Sequence, residues 1–434
     1  MMVEPFELTL SQAGKSIRDG QLTPSEFVES LLIRIEELEP QLEAWVTVDA
    51  EGARKAAKNL TSEARRGRIR GPLHGIPVGV KDIYDTKRIR TTMGSRLFSD
   101  NVPERDAAAI SKLRAAGAII LGKTETTEFA YLDPAPTRNP WNTDYTPGGS
   151  SSGSAAAVAA KMCPLAFGTQ TGGSIIRPAS FCGIAAMKPT HSLLSTEGIY
   201  PHSWSLDHVG FMARRVVDLS LTLETLTGVK PKPRIRRPRI GIPTTYFNEA
   251  GTEEVTRNYA DAVERIRAAG AEIVDFALPE IFRVVHPAHR MIMFSEAASV
   301  HEAKFKESPT LYRPQMQCEV VSGLLIPAST YLRAQRIRGK FRDEVTQMME
   351  DVDALLTPAT PTPPLRGLTS TGDAAFNAPW SLAGFPTMNI PSGLTIDGLP
   401  LGIQLVGKPY DEARLLSVAH YCESALPFDE EPPL

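Results

Sequence analysis

The sequence has few of the features that mark a metal protein, a disulfide-rich protein or a membrane protein. Its 434 residues include only four cysteines, widely spaced: Cys163, Cys182, Cys318 and Cys422. None forms a CxxC pair or a Cys/His cluster, so we expect no disulfide framework and no metal site. No apolar run approaches the about 18 residues of a membrane helix. The N-terminus, MMVEPFELTL, lacks the regions of a signal peptide, so we expect a cytoplasmic protein that does not enter the membrane.

The chain also lacks an excess of positive charge. Its net charge is −3, so no general basic field would attract nucleic acid. A long central part of the sequence contains no histidine, since none lies between His74 and His191. Two serine-rich turns in that interval therefore have no nearby histidine in sequence to act as a base.

Alternating helical and apolar segments predict an α/β fold. The first 70 residues favour helices, among them one that begins at Thr23 and Pro24 and runs up to Pro40, and one at roughly 49–66. The segment PLHGIPVGVKDIYD reads as a strand that places Lys81 on a face with otherwise small residues. Helix–glycine–strand units recur at Gly117 and Gly270. This order is typical of one α/β domain around a largely buried sheet.

One nucleotide-binding motif is present in the wrong context. GAIILGKT, residues 117–124, matches the P-loop pattern GxxxxGK[ST]. A P-loop needs a strand, then a flexible loop, then a helix. Here the order is helix, glycine, strand, so we expect Lys123 to be structural.

A second motif matches the nucleophile elbow of Ser-His-Asp esterases. GSSSG, residues 149–153, fits GxSxG with Ser151 at its centre. The preceding residues do not form a strand, as that motif requires. The only late histidine, His420, sits in an apolar helix, where packing is the usual role. The esterase stays an alternative that depends on His420.

The two serine-bearing turns form a more coherent constellation. TPGGSSSGSA (146–155) is joined by one predicted helix and one predicted strand to GTQTGGSIIRPASFCG (168–183). Two glycines directly before Ser174 free backbone N–H groups to point at one place, as an oxyanion hole requires.

At these residues the chain resembles the amidase signature family. The likeness covers GPLHGIPVGVKDIYDT, PGGSSSGSAAAVAA, GTQTGGSIIRPASFCG and SLDHVGFMARRVVD, and continues in NAPWSLAGFPTMNIPSG and GLPLGIQLVG. These blocks occur in the family's order over nearly the whole chain. The resemblance implies an α/β fold with a central twisted mixed β-sheet surrounded by helices. We expect one amidase domain over 1–434, with a helical segment at 1–70 and the signature core at 71–215.

The resemblance also implies a catalytic apparatus without histidine. Ser174 would be the nucleophile, Ser150, after a cis peptide bond, would relay the proton, and a neutral Lys81 would be the base. The backbone N–H groups of Thr171, Gly172, Gly173 and Ser174 would form the oxyanion hole. A buried lysine suits this role, because burial lowers the pKa of an amine from near 10.4. No metal or organic cofactor is implied.

The chain departs from the family pattern beside the nucleophile. The usual aspartate and arginine are replaced by Gln170 and Ile176, and Arg177 lies one place late. Both members of the presumed ion pair are changed together, which predicts a consistent uncharged variant. For the substrate pocket, Phe129 and Tyr131 are candidate wall residues, with core packing as the alternative.

Together, the motifs and the family resemblance predict an amidase that hydrolyses a small-molecule linear amide through an acyl-enzyme on Ser174. One alternative is the glutamine-hydrolysing A subunit of a tRNA-dependent amidotransferase, which would need partner subunits and tRNA. The chain is short for that subunit. Another alternative is a catalytically silent scaffold of the same fold. The sequence leaves a homodimer open.

Overall fold

A single mixed β-sheet organises the fold. The computed structural model of the chain describes residues 4–232 and 235–434, and in these ranges eleven strands form the sheet. The strands are β1 (Trp45–Val48), β2 (Pro77–Lys81), β3 (Ile119–Thr124), β4 (Leu165–Gln170), β5 (Ala185–Lys188), β6 (His208–Ala213), β7 (Arg239–Pro243), β8 (Glu272–Phe276), β9 (Ala354–Pro358), β10 (Thr387–Leu394) and β11 (Pro400–Val406). Their order across the sheet is β1-β3-β2-β4-β6-β5-β10-β11-β9-β7-β8.

Fourteen α-helices surround this sheet within the described ranges. They are α1 (Leu10–Arg18), α2 (Pro24–Leu42), α3 (Ala50–Arg65), α4 (Ala108–Ala115), α5 (Ser152–Ala159), α6 (Ile176–Phe181), α7 (Val216–Thr227), α8 (Phe247–Ala250), α9 (Glu253–Ala268), α10 (Val285–Glu307), α11 (Pro314–Leu324), α12 (Ala328–Met348), α13 (Ala378–Ala383) and α14 (Glu412–Ala425). None of the helices so described is long and apolar enough to cross a membrane.

The pairing of the strands brings the predicted site residues together. Strand β2 pairs in parallel with both β3 and β4, whereas β4 pairs with β6 in antiparallel fashion. Every residue of β2, β3, β4 and β6 is buried, as expected for central strands covered on both faces. The end of β2, which carries Lys81, therefore lies beside the end of β4, from which the second serine-bearing turn departs.

The expected fold class is confirmed: the structure is a single large α/β domain with a central mixed sheet and surrounding helices. Two local expectations need correction. The short strand β1 interrupts the helical N-terminal segment and pairs with β3 at the sheet edge. Helix α2 also does not end at Pro40 but continues to Leu42.

The P-loop-like segment is part of the sheet. Lys123 lies on β3 with its side chain fully buried, and its Nζ is 2.5 Å from the Tyr84 carbonyl oxygen. It also donates to the Thr91 hydroxyl and lies 3.4 Å from the Asp82 carboxylate. These contacts give Lys123 a structural role.

Candidate active site

The first element of the candidate site is a buried lysine bonded to a serine. Lys81 ends β2 and has no solvent exposure. Its Nζ lies 2.7 Å from Ser150 Oγ and 2.9 Å from Thr169 Oγ1. Ser150 is also fully buried, and the peptide bond that joins it to Gly149 is cis. The geometry places an amine within proton-transfer distance of a hydroxyl that is 69 residues away in sequence.

The surroundings of Lys81 favour the neutral amine. Burial lowers its pKa well below the ordinary value for lysine, because an ammonium ion loses its hydration there. The Asp207 carboxylate opposes this shift, whereas the positive charge of Arg177 adds to it. A neutral amine, unlike an ammonium ion, can accept a proton.

The other serines of the first turn are engaged in structural hydrogen bonds. Ser151 Oγ donates to the Thr169 carbonyl, and Ser152 Oγ donates to the Gly148 carbonyl. Ser151 is fully buried in the turn that leads into α5. The histidine that an esterase mechanism would pair with Ser151 is not beside it. His420 lies on α14, and its Nε2 is 3.0 Å from Ser220 Oγ. The geometry contradicts the Ser-His-Asp alternative.

The second turn exposes Ser174 at the end of β4. Ser174 retains 7% of its surface accessible, in contrast to Ser150 and Ser151. The backbone N–H groups of residues 171–174 donate no hydrogen bond to the residues that the structure describes. The surroundings of Gly173 leave little room for a side chain, because a Cβ there would lie 2.5 Å from Asn377 Oδ1. The turn thus presents unpaired donors beside an accessible hydroxyl.

Gln170 holds this turn in place through uncharged hydrogen bonds. Its Oε1 accepts from the N–H groups of Ile175 (2.8 Å) and Ile176 (3.0 Å). Its Nε2 donates to Ser381 Oγ on α13, which in turn donates to the Gly172 carbonyl at 2.6 Å. The amide thus supports the turn without an ion pair and leaves no buried charge unpaired. The sequence predicted the uncharged variant but gave no signal for Ser381.

Arg177 connects the two serine-bearing turns. Its guanidinium donates to the Gly149 carbonyl at 2.6 and 3.2 Å and to the Gly372 carbonyl at 2.7 Å. Burial lowers its pKa to about 10, against the attraction of Asp373, so it remains a cation at neutral pH. The sequence placed this arginine one position late in the family pattern but did not predict its contact with the first turn.

A cavity of about 760 Å³ opens over the second turn. Ser174 lines it together with Thr171, Gly172 and Gly173. Tyr131 also lines the cavity. Phe129 does not: it is fully buried, and its ring packs against a cluster of aromatic side chains that consists of Phe98, Tyr200, His301 and Tyr312. For Phe129 the core-packing interpretation is the one that fits.

Several histidines surround this cavity without forming a metal centre. Among the described residues, no group of three or more His, Cys, Asp or Glu side chains has a geometry that could hold a metal ion. His289 instead supports the second turn, because its Nε2 lies 2.9 Å from the Thr171 carbonyl oxygen.

Comparison with known proteins finds related sequences over nearly the whole chain. A family model described as Amidase matches residues 26–416. The A subunit of the glutamyl-tRNA(Gln) amidotransferase from Roseiflexus castenholzii is 35% identical, with 96% of this chain and 95% of that protein covered. The corresponding protein of Geobacter metallireducens is 34% identical, with 98% of each covered.

Solved structures give the same fold. A crystal structure of an amidase, 33% identical, superposes with a TM-score of 0.90 over 96% of this chain and all of that one. The native peptide amidase from Stenotrophomonas maltophilia is 28% identical, with a TM-score of 0.83 and 98% of each chain covered.

Proposed function

This chain belongs to the amidase family, and we propose that it hydrolyses the C–N bond of a linear carboxamide through an acyl-enzyme on Ser174. The observation that carries the proposal is the contact between the buried Lys81 amine and Ser150, next to a turn that presents Ser174 and unpaired N–H groups to a cavity. A base, a relay and a nucleophile with an oxyanion site are the elements that acyl transfer requires.

In the proposed acylation, the proton moves from Ser174 to Ser150 and from Ser150 to Lys81. As Ser174 Oγ attacks the amide carbon, the carbonyl oxygen gains negative charge and accepts hydrogen bonds from the N–H groups of residues 171–174. The same relay returns the proton to the leaving nitrogen, which departs as a neutral amine or ammonia. Water then attacks the acyl-enzyme, with its proton taken up by the relay, and releases the acid and Ser174.

In the structure, the chain of hydrogen bonds that would relay the proton does not reach Ser174. The described hydrogen bonds join Lys81 to Ser150 and Thr169 but do not extend to Ser174. Catalytic hydrogen bonds are often long without substrate and shorten in the complex. We propose that rotation of the Ser174 side chain closes the remaining link when an amide occupies the cavity.

The curated relatives favour glutamine as the amide. The Roseiflexus and Geobacter proteins are amidotransferase A subunits, and this chain spans 95% and 98% of their lengths. The chain is nevertheless shorter than such a protein, because the alignments extend over 469 and 477 residues whereas the chain has 434, so the relatives contain internal segments that it lacks. We propose that the glutamine-hydrolysing A subunit is better supported than a free-standing amidase, and that partner subunits and tRNA take part. The four unpaired cysteines support a cytoplasmic location.

Ammonia release tests this choice of substrate. We expect the chain to release ammonia from glutamine, and the rate to rise when partner subunits from the same source and glutamyl-tRNA are added. A Ser174→Ala chain mixed with the same partners is the matched control and should release none. Faster hydrolysis of aliphatic, aryl or ureido amides, without any response to partners, would contradict the amidotransferase proposal and leave the free-standing amidase.

A further inference from the structure

Four consecutive peptide units carry the N–H groups proposed for the oxyanion hole. Each unit also contains the carbonyl of the preceding residue, so the N–H of Thr171 shares its unit with the carbonyl of Gln170. These four peptide bonds are trans, and in a planar trans peptide the C=O and N–H bonds point in opposite directions. A hydrogen bond that fixes a carbonyl therefore also fixes the direction of the N–H in the same unit. Restraints of this kind matter here, because Gly172 and Gly173 allow the backbone more freedom than other residues do.

Histidines hold the first two of the four carbonyls. His208, on β6, places its Nδ1 3.1 Å from the carbonyl oxygen of Gln170 and 2.6 Å from that of Leu206. His289, on α10, places its Nε2 2.9 Å from the carbonyl oxygen of Thr171. Burial lowers the pKa of both rings, that of His289 to about 4, so each ring is uncharged at neutral pH and carries one proton. Because a carbonyl oxygen only accepts, that proton lies on the nitrogen that faces it.

A serine and a helix hold the other two carbonyls. Ser381 Oγ, on α13, donates to the Gly172 carbonyl at 2.6 Å. The backbone N–H of Arg177, in the first turn of α6, donates to the Gly173 carbonyl at 2.9 Å. Donors from four different elements thus restrain four successive peptide planes. The N–H groups of residues 171–174 point away from these donors, and residues 171–174 line the cavity.

We propose that His289 and Ser381 are positioning residues for the oxyanion hole. Through the carbonyl of the preceding residue, His289 aims the N–H of Gly172 at the oxygen that gains charge in the tetrahedral intermediate. Ser381 does the same for the N–H of Gly173. The inference rests on the proposed function, because it takes the turn at Ser174 as the site of acyl transfer. It gives a neutral histidine a part in a site whose base is a lysine.

Replacing His289 separates this role from simple structural support. Leucine fills a similar space without a donor, whereas the glutamine side chain has an NH₂ group that can reach the same carbonyl. We expect His289→Leu to lower kcat for glutamine about tenfold or more and to change KM by no more than about twofold, because the substrate oxygen is charged only in the transition state. His289→Gln should restore most of the lost kcat.

Phosphonylation of Ser174 by a fluorophosphonate measures the same contribution without an amide substrate. The phosphoryl oxygen gains negative charge during the attack and needs the same N–H groups. We expect His289→Leu and Ser381→Ala each to slow labelling about tenfold or more, whereas His289→Gln labels close to the wild-type rate. Labelling is followed by mass spectrometry of the intact full-length chain and of its peptides.

His301→Leu is the matched control. His301 is also buried on α10, but its Nδ1 lies 3.1 Å from the Tyr312 hydroxyl rather than at a carbonyl of the turn. This variant should keep the wild-type kcat and labelling rate. A His289→Leu protein that loses no more activity than His301→Leu would overturn the inference. A His289→Gln protein as slow as His289→Leu, or a His289→Leu protein in which KM rises and kcat is unchanged, would also overturn it.

Failure of this inference is distinguishable from failure of the proposed function. If Ser174 is labelled equally fast in the wild-type and His289→Leu proteins and amides are hydrolysed, the proposed function stands and the positioning role is overturned. If Ser174 is labelled but no amide is hydrolysed, the proposed function fails, and slow labelling of His289→Leu still supports the positioning role.

Discussion

Replacing Ser174 by alanine is expected to reduce amide hydrolysis below about one part in a thousand of the wild-type rate. The substitution removes the proposed nucleophile and little else. The N–H groups of the turn belong to the backbone, and Gln170 and Ser381 continue to hold the turn through their own hydrogen bonds. Ammonia release measures the loss, and an unchanged circular dichroism spectrum and thermal midpoint show that the fold is intact.

Ser151→Ala is the matched control for this loss. Ser151 Oγ donates only to the Thr169 carbonyl, so its removal should cost about 1 kcal/mol of stability and leave the nucleophile in place. Turnover that survives in Ser174→Ala and disappears in folded Ser151→Ala would identify Ser151 as the nucleophile and contradict the proposed mechanism.

Lys81→Ala is expected to slow acylation of Ser174 by about 10²–10⁴-fold, the usual contribution of a general base. Lys81→Arg should be nearly as damaging, because a guanidinium stays protonated at any usable pH. Stopped-flow measurement of the acylation rate separates this step from hydrolysis of the acyl-enzyme. His420→Ala is the control, and it should retain acylation because His420 bonds to Ser220 rather than to either turn.

A lysine base also predicts the direction in which the acylation rate changes with pH. The base works as a neutral amine, and burial lowers the pKa of Lys81. The acylation rate should therefore be high above that lowered pKa and fall as the pH drops through it, because the amine becomes protonated. An active Lys81→Arg protein with an unchanged acidic limb, beside an inactive but folded His420→Ala protein, would contradict a lysine base.

Local sequence patterns predicted much of the scaffold. The apolar segment before Lys81 forms β2, and the helix and strand between the two turns are α5 and β4. Strand β1 was missed because four residues between two helices carry too little periodicity to indicate a strand. Pro40 predicts a helix end, but α2 continues for two further residues.

Long-range contacts in the site were harder to predict. The contact of Lys81 with Thr169 follows from the parallel pairing of β2 with β4. The contact with Ser150, in the turn before α5, was expected only through the family resemblance. No pattern in the sequence links Gln170 to Ser381, which is 211 residues later and meets it only in the folded chain. Phe129 and Tyr131 are two residues apart, yet one lies in the core and the other at the cavity.

Covalent labelling with a fluorophosphonate, followed by mass spectrometry of the digested protein, tests the central claim most directly. The reagent phosphonylates a serine that is activated as a nucleophile. We expect one label per chain on the peptide that contains Ser174, no label in Ser174→Ala, and labelling of Lys81→Arg slowed by about 10²–10⁴-fold. A label on Ser151 or another residue, or a folded wild-type chain that takes up none, as a silent scaffold would, contradicts the assignment of Ser174 as the nucleophile.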